Sequence, residues 1–347
     1  MKKNGYIFIL TLLSGILLFM GTNTVHAADM TYSVKTIIPE NQIDKDKTYF
    51  DLKMVPGQKQ MISLELENSS DQEITIQIGI NTATTNRNGV INYGDSNMAK
   101  DSSLTYDISE LIQGENEVVL LPKEKKVVNY TVTMPEKSFD GILLGGFYIH
   151  KKLTKEEQES EKNVQIKNDY SYIVGIKLTE TDVKVEPELK LNDITPGLQN
   201  YRTVVNATLQ NITPTIISGM SIEASIRKKG SDEIIHQAEK SNQSMAPNSS
   251  YQFPISWDNQ ELKPGKYNLG LKAIDGNNNE WQFSKEFEIT SDVKELNEEA
   301  IELEEKDTFQ IYLLALVILL ILLSICYLIF KKKKKKKKKK RIKRRNK

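Results

Sequence analysis

Ile62-Ser63-Leu64-Glu65-Leu66-Glu67 and, after a short polar link, Ile74-Thr75-Ile76-Gln77-Ile78-Gly79-Ile80 alternate apolar and polar side chains. A period of two places one set of side chains on a buried sheet face and the other in water. The link Asn68-Ser69-Ser70-Asp71 is turn chemistry, as are Pro56-Gly57 before the first run and Asn88-Gly89 in a longer polar stretch. The alternation returns in Val128-Asn129-Tyr130-Thr131-Val132-Thr133-Met134. Gly141 to Ile149 and Tyr170 to Leu178 read as late strands joined by the charged loop Lys155 to Lys162. These runs predict a first β-sandwich over residues 30–181.

Working outward toward the C-terminus, a second series begins near Val183. Pro187 to Ile194, Tyr201 to Leu209, Ile216 to Ile226, Glu233 to Ala238, Tyr251 to Trp257, Lys266 to Ile274 and Trp281 to Ile289 form seven strand patterns. Pro-Gly and Asn-rich turns separate several of them, at the spacing of a β-sandwich. The expected fold class is all-β: two tandem immunoglobulin-like β-sandwiches, the second over 182–290, then a short helical stalk and one transmembrane helix. Tyr170 to Leu178 reads either as the last strand of the first sandwich or as the opening strand of the second. In the stalk, 291–310, Val293, Leu296, Ala300 and Leu303 fall at helical spacing among acidic residues, with Ser291 suited to an N-cap.

The two ends have a different composition. Met1-Lys2-Lys3-Asn4, an apolar run from Tyr6 to Met20 and Val25-His26-Ala27-Ala28 make a signal peptide, 1–27, cleaved after Ala27. The run is shorter than the ~20 apolar residues a membrane helix needs. Ile311 to Phe330 is apolar apart from Ser324 and two tyrosines, and at ~1.5 Å per residue it reaches ~30 Å, one bilayer core. Residues 331–347 carry fifteen Lys and Arg. Such charge beside a span stays in the cytoplasm, so the expected location is the cell membrane, single-pass, with the N-terminal ectodomain extracellular. Contact with anionic lipids explains the basic run better than nucleic-acid binding does, because it abuts a span.

The overall charge of +1 conceals an asymmetry. Fifteen of the 47 Lys and Arg lie in the tail and two at Lys2 and Lys3, which leaves 30 against all 46 Asp and Glu in the ectodomain, about −16. The sole cysteine, Cys326, lies in the expected span, so the ectodomain has no disulfide and rests on hydrophobic cores.

Catalytic signatures are scarce. His150 and His236 are the only histidines past the signal, no Gly-x-Ser-x-Gly elbow is present, and thiolate zinc sites are ruled out by the lack of cysteine in the expected ectodomain. No enzyme activity, metal or cofactor is expected. Asp275-Gly276-Asn277-Asn278-Asn279-Glu280 reads as a hairpin turn rather than a calcium loop. The residues before the span, Glu304 to Gln310, lack the Leu-Pro-x-Thr-Gly motif of sortase attachment.

Several motifs in order resemble the WxL-interacting protein family. Asn41-Gln42, Tyr49-Phe50-Asp51-Leu52 with Pro56-Gly57-Gln58, Asn81 to Tyr93 and Gly141-Ile142-Leu143-Leu144-Gly145-Gly146 are similar to its first domain. Pro187-Glu188-Leu189, Gln210-Asn211, Met245-Ala246-Pro247-Asn248-Ser249 and Lys263-Pro264-Gly265-Lys266-Tyr267 are similar to its second. The resemblance implies a Gram-positive surface protein beside WxL-domain proteins, with a peptidoglycan-binding first domain and a host-binding second. Within the long polar loop Asn86, Asn88 and Tyr93 are the ligand-binding candidates, since amides and an aromatic face suit sugars; a purely structural loop is the competing reading. The expected function is a membrane-anchored binding protein for WxL-domain proteins, peptidoglycan and host extracellular-matrix proteins. A passive spacer or assembly factor and a wall-remodelling enzyme with a carboxylate pair are the alternatives.

Overall fold

The computed structural model describes residues 31–94, 99–154 and 170–301. The expected signal peptide, the charged loop 155–162, the stalk beyond 301, the span 311–330 and the basic tail 331–347 lie outside the described residues. Among the described residues no helix is long and apolar enough to cross a membrane.

The chain is built from strands. In order these are β1 (Tyr32–Ile37), β2 (Phe50–Lys53), β3 (Lys59–Asn68), β4 (Ile74–Thr82), β5 (Thr84–Thr85), β6 (Ile91–Asn92), β7 (Ile112–Gly114), β8 (Glu117–Leu120), β9 (Lys125–Thr133), β10 (Leu143–Lys151) and β11 (Ser171–Thr179). A single-turn helix, α1 (Ile108–Leu111), precedes β7. Then follow β12 (Leu189–Gln199), β13 (Arg202–Asn211), β14 (Ile217–Lys228), β15 (Ile234–Met245), β16 (Ser249–Ser256), β17 (Gly265–Ile274) and β18 (Glu280–Ile289). All seven strand patterns of the second series correspond to strands.

Two sheets of order β1-β3-β9-β7 and β2-β11-β10-β4-β8 make the first sandwich. The alternation supplies its core. Ile62, Leu64 and Leu66 from β3, and Val128, Tyr130 and Val132 from β9, face Ile76, Phe147, Ile149 and Ile176 of the other sheet in one buried cluster. Tyr130 and Phe147 meet with ring centroids 4.6 Å apart, and Phe50 approaches Phe147 edge-on at 6.3 Å. The Tyr130 hydroxyl donates to the Glu115 carbonyl at 2.7 Å, as a buried phenol must. β11, the strand that reads either way in the sequence, lies antiparallel to β10 and parallel to β2.

The second sandwich has sheets β12-β13-β16 and β15-β14-β17-β18. Ala207, Leu209, Tyr251, Phe253 and Ile255 are buried from the first of these, and Ile222, Ile226, Leu269 and Leu271 from the second. β15 runs to Met245, past the expected end at Ala238. Its polar stretch stays paired because a bulge takes up the surplus: Met220 to Ile222 on β14 spans Gln243 to Lys240 on β15, with Asn242 at φ 54°. The Asp275 carboxylate, accepting from the main chain of Asn277 and Asn279, closes the expected β17–β18 turn.

Backbone contacts divide the chain into two compact units. One holds the described residues up to Thr195 with Asn206–Ile255 and Lys266–Phe287; the other holds Pro196–Val205, Ser256–Gly265 and the described residues from Glu288 onward. In the smaller unit the expected stalk takes a different form. A 3-10 turn, Ser291–Val293, leads into α2 (Lys294–Glu299), and Ala300 is already extended. Ser291 is the first residue of the turn rather than its cap, which falls at Thr290. α2 is also docked: Asn297 exchanges hydrogen bonds with the main chain of Leu262, and the Ile301 N–H donates to the Tyr201 carbonyl. Trp257 is buried there, with its indole N–H on the Glu261 carbonyl.

Phe147→Ala removes the ring shared by both sheets of the first sandwich. Urea unfolding of the full-length protein should show a loss of about 3–5 kcal/mol.

Candidate functional site

In the larger unit, loops at one end of the first sandwich meet loops of the second. The chain reverses through β5 and β6, and the Asn86 side chain holds that turn: its Oδ1 accepts from the N–H of Asn88 at 2.9 Å and of Val90 at 3.2 Å. Gly89, at φ +68°, takes a left-handed conformation, and a Cβ there would stand 2.0 Å from Gln243 Oε1. Its carbonyl accepts from the Ser244 N–H at 2.7 Å. Beside it Thr85 Oγ1 lies 2.6 Å from Ser249 Oγ and accepts from the Ala246 N–H at 3.0 Å. Since Ser249 Oγ donates to the Ala246 carbonyl, the shared proton belongs to Thr85. Ala83, Leu144 and Ala246 close over this point as a small buried apolar cluster, flanked by Tyr93, Ile142 and Ile216. Gly141, at φ +92°, sits where a Cβ would meet the Pro214 carbonyl at 2.4 Å.

A polar cleft of about 500 Å³ opens next to these contacts. The first sandwich contributes Thr82, Thr84, Lys100, Asp101, Ser102 and Asp107; the second contributes Asn192, Gln210 and Asn248 to Ser250. Two Asp-x-Ser sequences shape its wall. Asp101 Oδ1 accepts from the Ser103 N–H and hydroxyl and from Gln210 Nε2 at 2.6 Å, while Oδ2 accepts from Ser250 Oγ at 2.6 Å. Asp107 caps α1, accepting from the Ser109 N–H and hydroxyl and from Thr82 Oγ1, and it pairs with Lys100 at 2.8 Å. Lys100 also pairs with Glu110. Asn248 donates from Nδ2 to the carbonyls of Ser103 and Ile212.

These bonds determine the electrostatics. For Asp107, burial raises the pKa, but Lys100, Ser109 and Thr82 outweigh it and bring it from 3.8 to about 2. For Asp101, burial again works upward, and the donors Ser250, Ser103 and Gln210 hold it below the ordinary carboxylate value. The carboxylates of Asp101 and Asp107 each receive four donors, about the capacity of a carboxylate. A glycosidase acid needs a raised pKa and a free proton. Asp101 and Asp107 have the opposite character and act as structural acceptors.

Of the sequence-derived candidates, Asn86 holds its own turn, Asn88 is exposed at its tip, and Tyr93 is half-buried at the apolar cluster. Burial, then the nearby Tyr49, raises the Tyr93 phenol pKa. The three sit together on the loop that meets the second sandwich but do not line the cleft. The cleft's own residues were missed, although the repeated Asp-x-Ser pattern was a readable sign of capped turns. His150 Nε2 lies 3.0 Å from Gln77 Oε1 on adjacent strands, and His236 is buried in β15. A separate open trough of about 930 Å³ crosses the outer face of the β15-β14-β17-β18 sheet, over Ser225, Gln237, Gly270 and Gln282.

The family description "WxL Interacting Protein, peptidoglycan binding domain" matches residues 32–151, and "WxL Interacting Protein, host binding domain" matches residues 161–298. β11 therefore falls in the second matched stretch while pairing in the first sandwich. No curated protein matches the chain in sequence. Among solved structures, the chain is similar to the CsuC–CsuE chaperone–adhesin complex of Acinetobacter baumannii, with 10% identity over 67% of this chain and 93% of that one, TM-score 0.30. The YadV chaperone gives 10% identity over 74% and 100%, TM-score 0.29. The E. coli chaperone DraB gives 14% over 74% and 98%, TM-score 0.27. Likenesses this distant carry no argument about function.

The Asp107 shift fixes the sign of an acid response. Its contribution is complete above about pH 4 and is lost as pH falls toward 2. Asp107→Asn should cost about 1 kcal/mol at neutral pH. In acid unfolding followed by circular dichroism, its stability should fall less steeply over that window than the wild type's.

Proposed function

The chain belongs to the WxL-interacting protein family, and on that footing we propose that it is a non-enzymatic binding protein of the Gram-positive cell surface. The observation that carries this is the tandem match of two binding domains, one described as peptidoglycan-binding and one as host-binding, over most of the chain. In this reading two immunoglobulin-like sandwiches stand outside the cell. The first contacts peptidoglycan, the second contacts host extracellular-matrix proteins, and the ectodomain associates with WxL-domain proteins. Asn88, exposed at the loop tip, and Tyr93 are part of the proposed recognition surface, with Asn86 holding the loop in shape.

The anchor is inferred from sequence: export by residues 1–27, a span at 311–330 and a tail whose fifteen positive charges hold to anionic lipids. Binding rather than catalysis suits the cleft as well, because the donors around its two carboxylates keep them ionised.

Two measurements test this. Protease treatment of protoplasts should remove both sandwiches and leave a small membrane fragment; recovery of the whole chain in boiled, purified wall would refute membrane anchoring. In surface plasmon resonance the full-length protein, held in detergent, should bind a WxL-domain protein at micromolar concentration or below. If the charge of about −16 steers the encounter, raising salt will slow association, since exposed charges are screened over ~8–10 Å. An absence of binding by the folded protein removes the partner claim.

A further inference from the structure

We infer that the cleft beside the Thr85–Ser249 contact is a binding site for a neutral, polyhydroxylated, amide-bearing chain, a glycan of N-acetylated sugars, and that both sandwiches hold it jointly. The inference rests on the proposed reading of the protein as a surface binder and adds a site, apart from Asn88 and Tyr93, with the chemistry it takes.

Charge and hydrogen-bond capacity restrict what the cleft can hold. A metal ion finds too few ligands: Asp101 and Asp107 each spend Oδ1 on three donors and Oδ2 on a fourth, and no group of three or more His, Cys, Asp or Glu able to hold a metal occurs among the described residues. An anion would face two ionised carboxylates, and the one lysine in the wall, Lys100, is paired with Asp107 and Glu110. Leaving water for such a site would cost a charged ligand its hydration without a countercharge. An apolar ligand would cover amides and hydroxyls without satisfying them, which carries its own penalty.

What remains open suits a sugar. Asn192 donates to Gln210 Oε1 and Asn248 donates to main-chain carbonyls, and the Oδ1 of each receives no hydrogen bond from the described residues. The Ser102 hydroxyl accepts from Gln210 at 3.3 Å and keeps its proton available. Acceptors and a donor thus stand around a cavity of about 500 Å³, within the size range of small-ligand sites. Hydroxyl and N-acetyl groups answer both. Because the walls come from both sandwiches, with Asp101–Ser250 and Asn248–Ser103 joining them, a bound ligand also stabilises the junction.

The test uses full-length protein in detergent and isothermal titration with three probes: an N-acetylglucosamine tetramer, wall glycan strands stripped of stem peptides with the exposed lactyl carboxyls capped as amides so that they stay neutral, and neutral desialylated host glycans. Wild type should bind at least one and gain thermal stability on doing so; which of the last two it prefers identifies the source. Ser102→Trp, which fills the cleft, and Asn192→Ala, which removes an acceptor, should each weaken binding by about tenfold or more while the unliganded melting temperature stays near wild type. Gln237→Ala, in the separate trough, should leave affinity unchanged. If both cleft variants bind as wild type does, the site lies elsewhere and the inference fails while the surface-binding reading stands. If wild type binds none of the three glycans but does bind a WxL-domain protein, the inference fails and the partner reading survives. If it binds neither, both fail.

Discussion

Tyr130 and Phe147 face each other from opposite sheets with centroids 4.6 Å apart, and the rest of the first sandwich is arranged around that contact. With no cysteine before Cys326 to form a disulfide, the sheets are held chiefly by such burial. β9 and β10 each sit inside their sheets, so fixing those two strands fixes their neighbours through the ladder registers. The registers in turn set which loops emerge together. The β4–β6 turn, the segment before α1 and the start of β10 all reach the same end, where the second sandwich is met.

That meeting point follows a different rule from the cores. Its apolar part is small, Ala83, Leu144 and Ala246, and most of its contacts are polar. Polar groups taken out of water must find partners, and here they do so across a long sequence separation: Thr85 with Ser249, Asp101 with Gln210 and Ser250, Ser103 with Asn248. Small side chains and two left-handed glycines allow main chains to approach closely enough for this. The resulting surface is specific in geometry and leaves a polar cleft at its edge, in contrast to the closed aromatic core.

The motifs that mark the family take on a physical meaning in this light. Asn81 to Tyr93, Gly141 to Leu144, Gln210-Asn211 and Met245 to Ser249 look in isolation like turns and strand ends. In the folded chain they are the segments through which the sandwiches touch. Asn211 shows the double duty: its amide donates to the carbonyls of Thr215 and Ala246, and so shapes both its own turn and the segment that meets Thr85.

The strands were legible because a two-residue period is a local property: Ile62-Ser63-Leu64 or Ile222-Glu223-Ala224 reveals its buried face without reference to any other part of the chain. Turns such as Asp275 to Glu280 were legible for the same reason, since an Asx side chain bonds to its own main chain. The sequence could not show the full length of β15, where the bulge at Asn242 depends on pairing with β14, nor that α2 stops at Glu299 and docks through Asn297. It also could not show the cleft. Asn86 looked like a ligand group because a free amide and a turn-holding amide are the same residue in sequence; only the 2.9 Å bond to Asn88 tells them apart. Asp101 and Ser250 are 149 positions apart, and no periodicity links them. By itself the sequence determined the strand content, the turns and the charge layout, because these depend on neighbours along the chain. Tertiary structure alone decided which polar groups are already hydrogen-bonded and which remain available to a ligand, because that depends on neighbours in space.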